Sequence, residues 1–170
     1  MKKLLCMLLT LVILLPMAAC DAQGDDVRVP VHFYYRQTEM EYGANASVIS
    51  AEVREAEGHR EDYTYLMKQY LQGPESYSLY MPFPRVTTLV SIEVKDSIAY
   101  VQLSTNFSQL SGMDLSVACA CITMTACEMT GAASACISAA DSTLDGNASI
   151  TMSPSDILFL DDSNIVIDPN

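Results

Sequence analysis

Basic residues are scarce in this chain, which carries nine lysines and arginines against 21 aspartates and glutamates, a formal charge of -12. Nucleic-acid binding depends on Lys and Arg neutralising backbone phosphates, so a surface this acidic discounts nucleic acid as a partner. It also argues against charge-driven adsorption to anionic lipid. Histidine is thin too, with only His32 and His59, and no His pair or Cys-x2-Cys pair stands ready to complete a zinc site. There is no Gly-x-Ser-x-Gly elbow and no glycine loop of the kind that cradles phosphate. The acids Asp141, Asp145, Asp156, Asp161, Asp162 and Asp168 lack the regular spacing of a calcium loop and read as a solvated surface. The expectation is a protein that is not an enzyme and uses no metal or cofactor.

Long apolar runs are confined to the N-terminus. Lys2 and Lys3 precede an apolar stretch over residues 4–15, broken only by Thr10 and stopped by Pro16. That stretch falls short of the roughly 20 residues that span about 30 Å of hydrocarbon, so it reads as the core of a secretory signal. It is followed by Met17-Ala18-Ala19-Cys20, which resembles the bacterial lipobox, with Met17 where leucine is commonest. The resemblance implies cleavage before Cys20, with a diacylglyceryl thioether on its sulfur and acylation of its amine. A buried methylene adds roughly 0.8 kcal/mol of membrane affinity, and stable anchoring takes more than one chain. The plainer alternative is a freely secreted protein with an incidental cysteine. Removing residues 1–19 takes away two lysines and no acids, moving the charge from -12 to -14. The expected layout is a signal over 1–19, a lipidated terminus and short tether over 20–27, one domain over 28–160, and an acidic tail over 161–170. The location that follows is the extracytoplasmic face of the cell membrane, with the lipid as the membrane contact.

Within the domain, Val29, Val31, Phe33 and Tyr35 alternate with polar residues at period two, which predicts a strand. Residues 47–55 predict a second, with Ile49, Ala51 and Val53 on one face. From Glu61 the period changes: Tyr63, Leu66, Met67, Tyr70 and Leu71 form a helical stripe that Gly73-Pro74 ends. Residues 86–94 and 98–103 predict a hairpin around Lys95-Asp96-Ser97, with Ala99, Val101 and Leu103 on one face. Ser111 or Asp114 would cap a largely buried helix reaching Thr130 and closed by Gly131. A strand over 133–139, a turn at Asp145-Gly146-Asn147, a short strand over 149–152 and a helical turn over 153–156 follow. The class is α+β, a single domain with a mixed or antiparallel sheet and two helices packed on one face.

The succession of Leu71-Gln72-Gly73-Pro74, a proline-containing loop, the strand Val101-Gln102-Leu103-Ser104 with Phe107, and a helix containing Thr125 resembles the GerMN domain. This family of bacterial surface domains is named after the spore-germination and sporulation protein GerM. The similarity spans residues 29–146. Gln102 stands where the family usually has an acid, Ser97 where it has a hairpin glycine, and Met124 and Ala126 flank Thr125 in place of Asn and Leu. The resemblance marks Gly73, Pro74, Val101, Leu103, Ser104 and Thr125 as structural motif positions. It implies a small domain similar to ring-building motifs, acting by contact on a protein partner or on its own copies, in sporulation, germination or envelope signalling. The rival function is an extracytoplasmic module that binds cell-wall glycan or peptide.

Three further readings concern single residues. Cys119, Cys121, Cys127 and Cys136 fit small buried hydrophobes, a disulfide between Cys136 and a helical cysteine, or a redox or metal role, in that order of preference. His32 points away from the Val31 and Phe33 side and is expected at the surface. Among the clustered tyrosines, Tyr34, Tyr42 and Tyr77 are the candidates for an exposed contact patch, because tyrosine offers large contact area with few rotatable bonds.

Overall fold

The computed structural model describes residues 30–39, 48–56 and 58–157. Cys20, the tether, Tyr42 and the acidic tail lie outside them. Strand β1 (Pro30–Gln37) pairs antiparallel with β2 (Ile49–Glu55) and, through Arg36 and Gln37 only, with β3 (Leu79–Tyr80). Helix α1 (Tyr63–Tyr70) lies between β2 and β3 in the chain. The second sheet runs β4 (Leu89–Lys95), β5 (Ile98–Leu103), β6 (Ser134–Ala139), β7 (Ile150–Met152) in spatial as well as chain order. Helix α2 (Gly112–Thr130) joins β5 to β6. These two strands are parallel, and parallel neighbours require a long crossover, which α2 provides. The α+β class holds, with the strands divided between two sheets.

Local chemistry accounts for most of these elements. The stripe read from sequence buries Leu66, Met67 and Tyr70 in α1, and Asp62 caps it by accepting from the Tyr65 N–H at 2.9 Å. Gly131 closes α2 in the left-handed region at φ 70°. At its other end, Ser111 holds the capping position without a side-chain bond. The Asp145 carboxylate takes that role from across the chain, accepting from the Gly112 N–H at 2.8 Å.

Helix α2 is apolar nearly all round because it is packed on two sides. Its contacts with β5, β6 and β7 cover the inner face of the four-stranded sheet, where Ala99, Val101, Leu103, Ala135 and Ile137 are buried. Its other side runs along β1. Helix α1 packs against β4 and α2. Both helices are thus tied to the inner side of that sheet, whose outer side carries the register row Glu93, Tyr100, Cys136 and Thr151.

That register decides between the cysteine readings. Cys119, Cys121 and Cys127 are buried and free, and Cys136 is free on the outer side of β6. The sheet itself stands between Cys136 and α2, so a disulfide joining them is excluded by geometry.

Two other expectations change. β3 was not predicted, being two residues long. β2 begins at Ile49 and is covered on both faces rather than one: Ser50 and Glu52 are buried along with Ile49 and Ala51.

The β4–β5 hairpin turns on Asp96 and Ser97 at φ 52° and 61°, the paired left-handed geometry of a type I′ turn, which favours glycine. Ser97→Gly is therefore expected to raise stability by about 0.5–1 kcal/mol, read as a higher midpoint in urea unfolding with an unchanged slope.

Candidate functional site

One motif residue, Thr125, reaches β1 together with Tyr70. Because β3 reaches only Arg36 and Gln37, the preceding stretch of β1 has no strand neighbour on that side among the described residues. At Tyr34 two side chains take the place of one. The Tyr34 N–H donates to Thr125 Oγ1 at 2.9 Å, and its C=O accepts from the Tyr70 phenol at 3.0 Å. The Tyr70 C=O in turn accepts from the Tyr35 phenol at 2.8 Å. Thr125 and Tyr70 have no exposed surface.

Further contacts extend this seam along α2. His32 Nδ1 lies 2.8 Å from Glu128 Oε1, and Arg36 reaches Asp114 at 3.4 Å. The face of β1 expected to be solvated is therefore covered by the helix, and His32 is half-buried. Tyr34 packs against the cluster of Ile49, Val117 and Cys121, so it is a structural residue rather than part of an open patch.

The opposite face of β1 meets α1 in an aromatic cluster. Tyr70 stacks on Tyr35 with centroids 4.9 Å apart and meets Phe33 at 5.7 Å and Phe83 edge-on at 5.5 Å. Such pairs contribute roughly 0.5–1.5 kcal/mol each beyond area burial. Burial pushes the Tyr35 and Tyr70 phenols well above their usual range, against smaller lowering effects from Arg54 on Tyr35 and the Thr125 hydrogen bond on Tyr70. The thiols behave alike: burial pushes Cys119 up to about 12 and Cys127 up to about 11, and raises Cys121 further. These groups stay protonated at neutral pH, as packing and hydrogen-bond donors rather than nucleophiles.

Beside this cluster, Glu52 and Arg54 grip the Gly73-Pro74 turn, a site that sequence reading missed. Arg54 pairs with Glu52 at 2.5 Å, donates to the Gly73 C=O at 2.7 Å and lies over the Phe33 ring. The other Glu52 oxygen accepts from the N–H groups of Glu75 and Ser76 at 2.9 and 2.8 Å. Gly73 sits at φ 100°, so the backbone itself calls for the motif glycine, and a Cβ there would also displace the Met81 methyl, 2.6 Å away. Val101 and Leu103 are core residues, and the Ser104 hydroxyl accepts from the Thr88 N–H at 3.0 Å.

The gripped turn leads to the open surface. Tyr77 is fully exposed and Tyr80, on β3, is 58% exposed. Tyr80 belongs with Tyr77, and only the short β3 pairing reveals it. Two open grooves flank the start of the hairpin. The larger, about 730 Å³, is lined by residues 58–64 and Ile92 and mixes Arg60 with Glu61 and Asp62. The smaller, about 510 Å³, includes Lys68, Arg85 and Thr87. Among the described residues no group of three or more His, Cys, Asp or Glu side chains could hold a metal ion, and no helix is long and apolar enough to cross a membrane.

Two outcomes follow from this geometry. Thr125→Val keeps the shape but leaves the Tyr34 N–H buried without an acceptor, and is expected to lower stability by roughly 1–3 kcal/mol in denaturant unfolding. Of the four cysteines in the described residues, Cys136 alone should react with iodoacetamide in the native protein at pH 8. Mass spectrometry should find the three α2 thiols modified only after unfolding; early labelling of Cys121 would contradict the packing.

A comparison with curated proteins finds no match. A crystal structure of a candidate lipoprotein from Clostridium perfringens is similar at TM-score 0.49 and 23% identity, covering 81% of this chain and 95% of that one. The model of the Germane family, described as sporulation and spore germination, matches residues 32–145. That span runs from β1 through the Asp145 turn and takes in the Tyr34 seam, the Gly73-Pro74 turn and α2. The chain belongs to the Germane family of sporulation and spore germination domains.

Proposed function

We propose that this chain is a lipid-anchored, extracytoplasmic member of the Germane family that works by protein contact rather than catalysis, in sporulation or germination. The observation that carries the contact reading is the pairing of a rigidly held turn with exposed aromatic side chains. Glu52 and Arg54 fix residues 73–76, and Tyr77 and Tyr80 emerge beside them with 100% and 58% of their surface exposed. Large aromatic side chains on a fixed frame suit protein recognition, since little conformational freedom is lost on binding. The buried phenols and thiols, held protonated, supply no activated nucleophile.

The anchor rests on the leader. Lys2 and Lys3, the apolar run over residues 4–15 and Ala18-Ala19-Cys20 make a lipoprotein signal, and the acidic residues that follow give a short spacer. A membrane-bound chain of formal charge -14 after cleavage meets partners confined to the same surface, which raises their effective concentration without a new contact.

Two measurements test this reading. Cys20→Ala should abolish lipid labelling and release the protein from membranes or leave it unprocessed; unchanged labelling and attachment would refute the anchor. Cross-linking and pull-down from membranes should then recover a protein partner or further copies of this chain. Binding to purified peptidoglycan with no protein recovered would overturn the contact reading.

A further inference from the structure

The smaller groove differs from the rest of the surface in its charge. Six of the basic residues lie in the described regions, and one of them, Lys95 at the end of β4, is exposed, without an ion pair among the described residues and away from this groove. Arg36 and Arg54 pair with Asp114 and Glu52, and Arg60 binds the Met129 carbonyl near the end of α2. Lys68 and Arg85 are exposed, make no ion pair among the described residues, and line the same groove of about 510 Å³. In a protein with more than twice as many acids as bases, two cations without carboxylate partners facing one cleft stand apart.

The cleft has apolar and backbone features as well. Leu71, Met81 and Leu89 line it together with the two cations. Thr87, 3% exposed, lines it too, and its hydroxyl has no hydrogen-bond partner among the described residues. Buried hydroxyls are ordinarily paired, so this one has donor and acceptor capacity to spare. Leu89 begins β4, the first strand in the sheet order, so the outer side of β4 carries no strand among the described residues. An open strand edge can accept an extended segment through backbone hydrogen bonds, with side-chain pockets supplying selectivity.

We propose that this groove is the docking site for an acidic, extended peptide segment of a protein partner, its apolar side chains against Leu71, Met81 and Leu89 and its carboxylates at Lys68 and Arg85. The inference rests on the protein-contact reading above and names the chemistry of the partner. Charge makes the location selective. An acidic segment is repelled by most of a surface this negative, so register and position are set as much by the repulsion elsewhere as by the attraction here. The larger groove, where Arg60 is offset by Glu61 and Asp62, offers no such contrast. A small free anion would use the two cations but leave the apolar lining and the strand edge unused.

The test uses the full-length protein in detergent and two labelled ten-residue probes, one alternating glutamate with valine and one alternating lysine with valine, read by fluorescence anisotropy. The glutamate probe should bind and the lysine probe should not. Lys68→Glu combined with Arg85→Glu should weaken binding about tenfold, with the cooperative melting transition retained and only slightly lowered, because both side chains are exposed and Lys68 sits in the last turn of α1. Absence of glutamate-probe binding, equal binding to the double variant, or displacement by inorganic phosphate as readily as by unlabelled peptide would overturn the proposal. The membrane pull-down separates the two levels of inference. Equal capture of one partner by wild type and double variant would overturn the groove and leave the contact reading standing, whereas no captured partner would overturn the contact reading itself.

Discussion

The fold depends on how β1 is finished along the side where, among the described residues, only the short β3 reaches it. A buried backbone N–H or C=O left without a partner costs as much as a lost hydrogen bond, and at Tyr34 both groups are turned away from β2. Thr125 and Tyr70 answer them, one from each helix. That arrangement docks α1 and α2 on the same residue of β1 and so fixes the three-stranded sheet relative to the helices that line the four-stranded one. It also sets the aromatic cluster, since Tyr70 must be turned toward Tyr34 and is then in contact with Tyr35, Phe33 and Phe83.

A second polar arrangement solves a related problem. Glu52 and Arg54 lie on the face of β2 that continues the buried side of β1, where charge is costly unless paired and hydrogen-bonded. Each fulfils that condition by bonding to the other and to the backbone of residues 73–76. Removing either partner would leave the other with only its turn contacts to offset a buried charge, so the pair acts as a positional lock on the turn more than as a source of net stability. The turn presents Tyr77 and leads into β3, which places Tyr80. Internal polar satisfaction and the outward contact surface are thus linked through five consecutive residues.

The legible parts of the sequence were those with a short repeat or a local signal. Val31, Phe33 and Tyr35 announced β1, the stripe from Tyr63 to Leu71 announced α1, and Gly131 marked the end of α2. The motif order through Leu71-Gln72-Gly73-Pro74 and Thr125 pointed to the family that the match over residues 32–145 shows. Roles resting on partners distant in the chain were hidden. Glu52 looks like an ordinary solvent-facing strand residue until the 73–76 turn is brought to it. Asp145 reads as a turn acid, yet it caps a helix 33 residues earlier. Tyr34 alternates as an exposed residue should, and only the approach of α2 covers it.

The sequence by itself determined the element types and the family, because periodicity and turn chemistry act between residues a few positions apart and survive in any local context. Tertiary structure decided which side of each element is covered and which polar group meets which. Cys136 is the plainest instance. Its spacing from the α2 cysteines allowed a bridge, and the parallel pairing of β5 with β6 placed it on the far side of the sheet from them. Burial on both sides of β1 and β2, the Thr125 and Tyr70 bonds to Tyr34, and the meeting of Lys68 and Arg85 in one groove arise from contacts between distant segments, which no local pattern encodes.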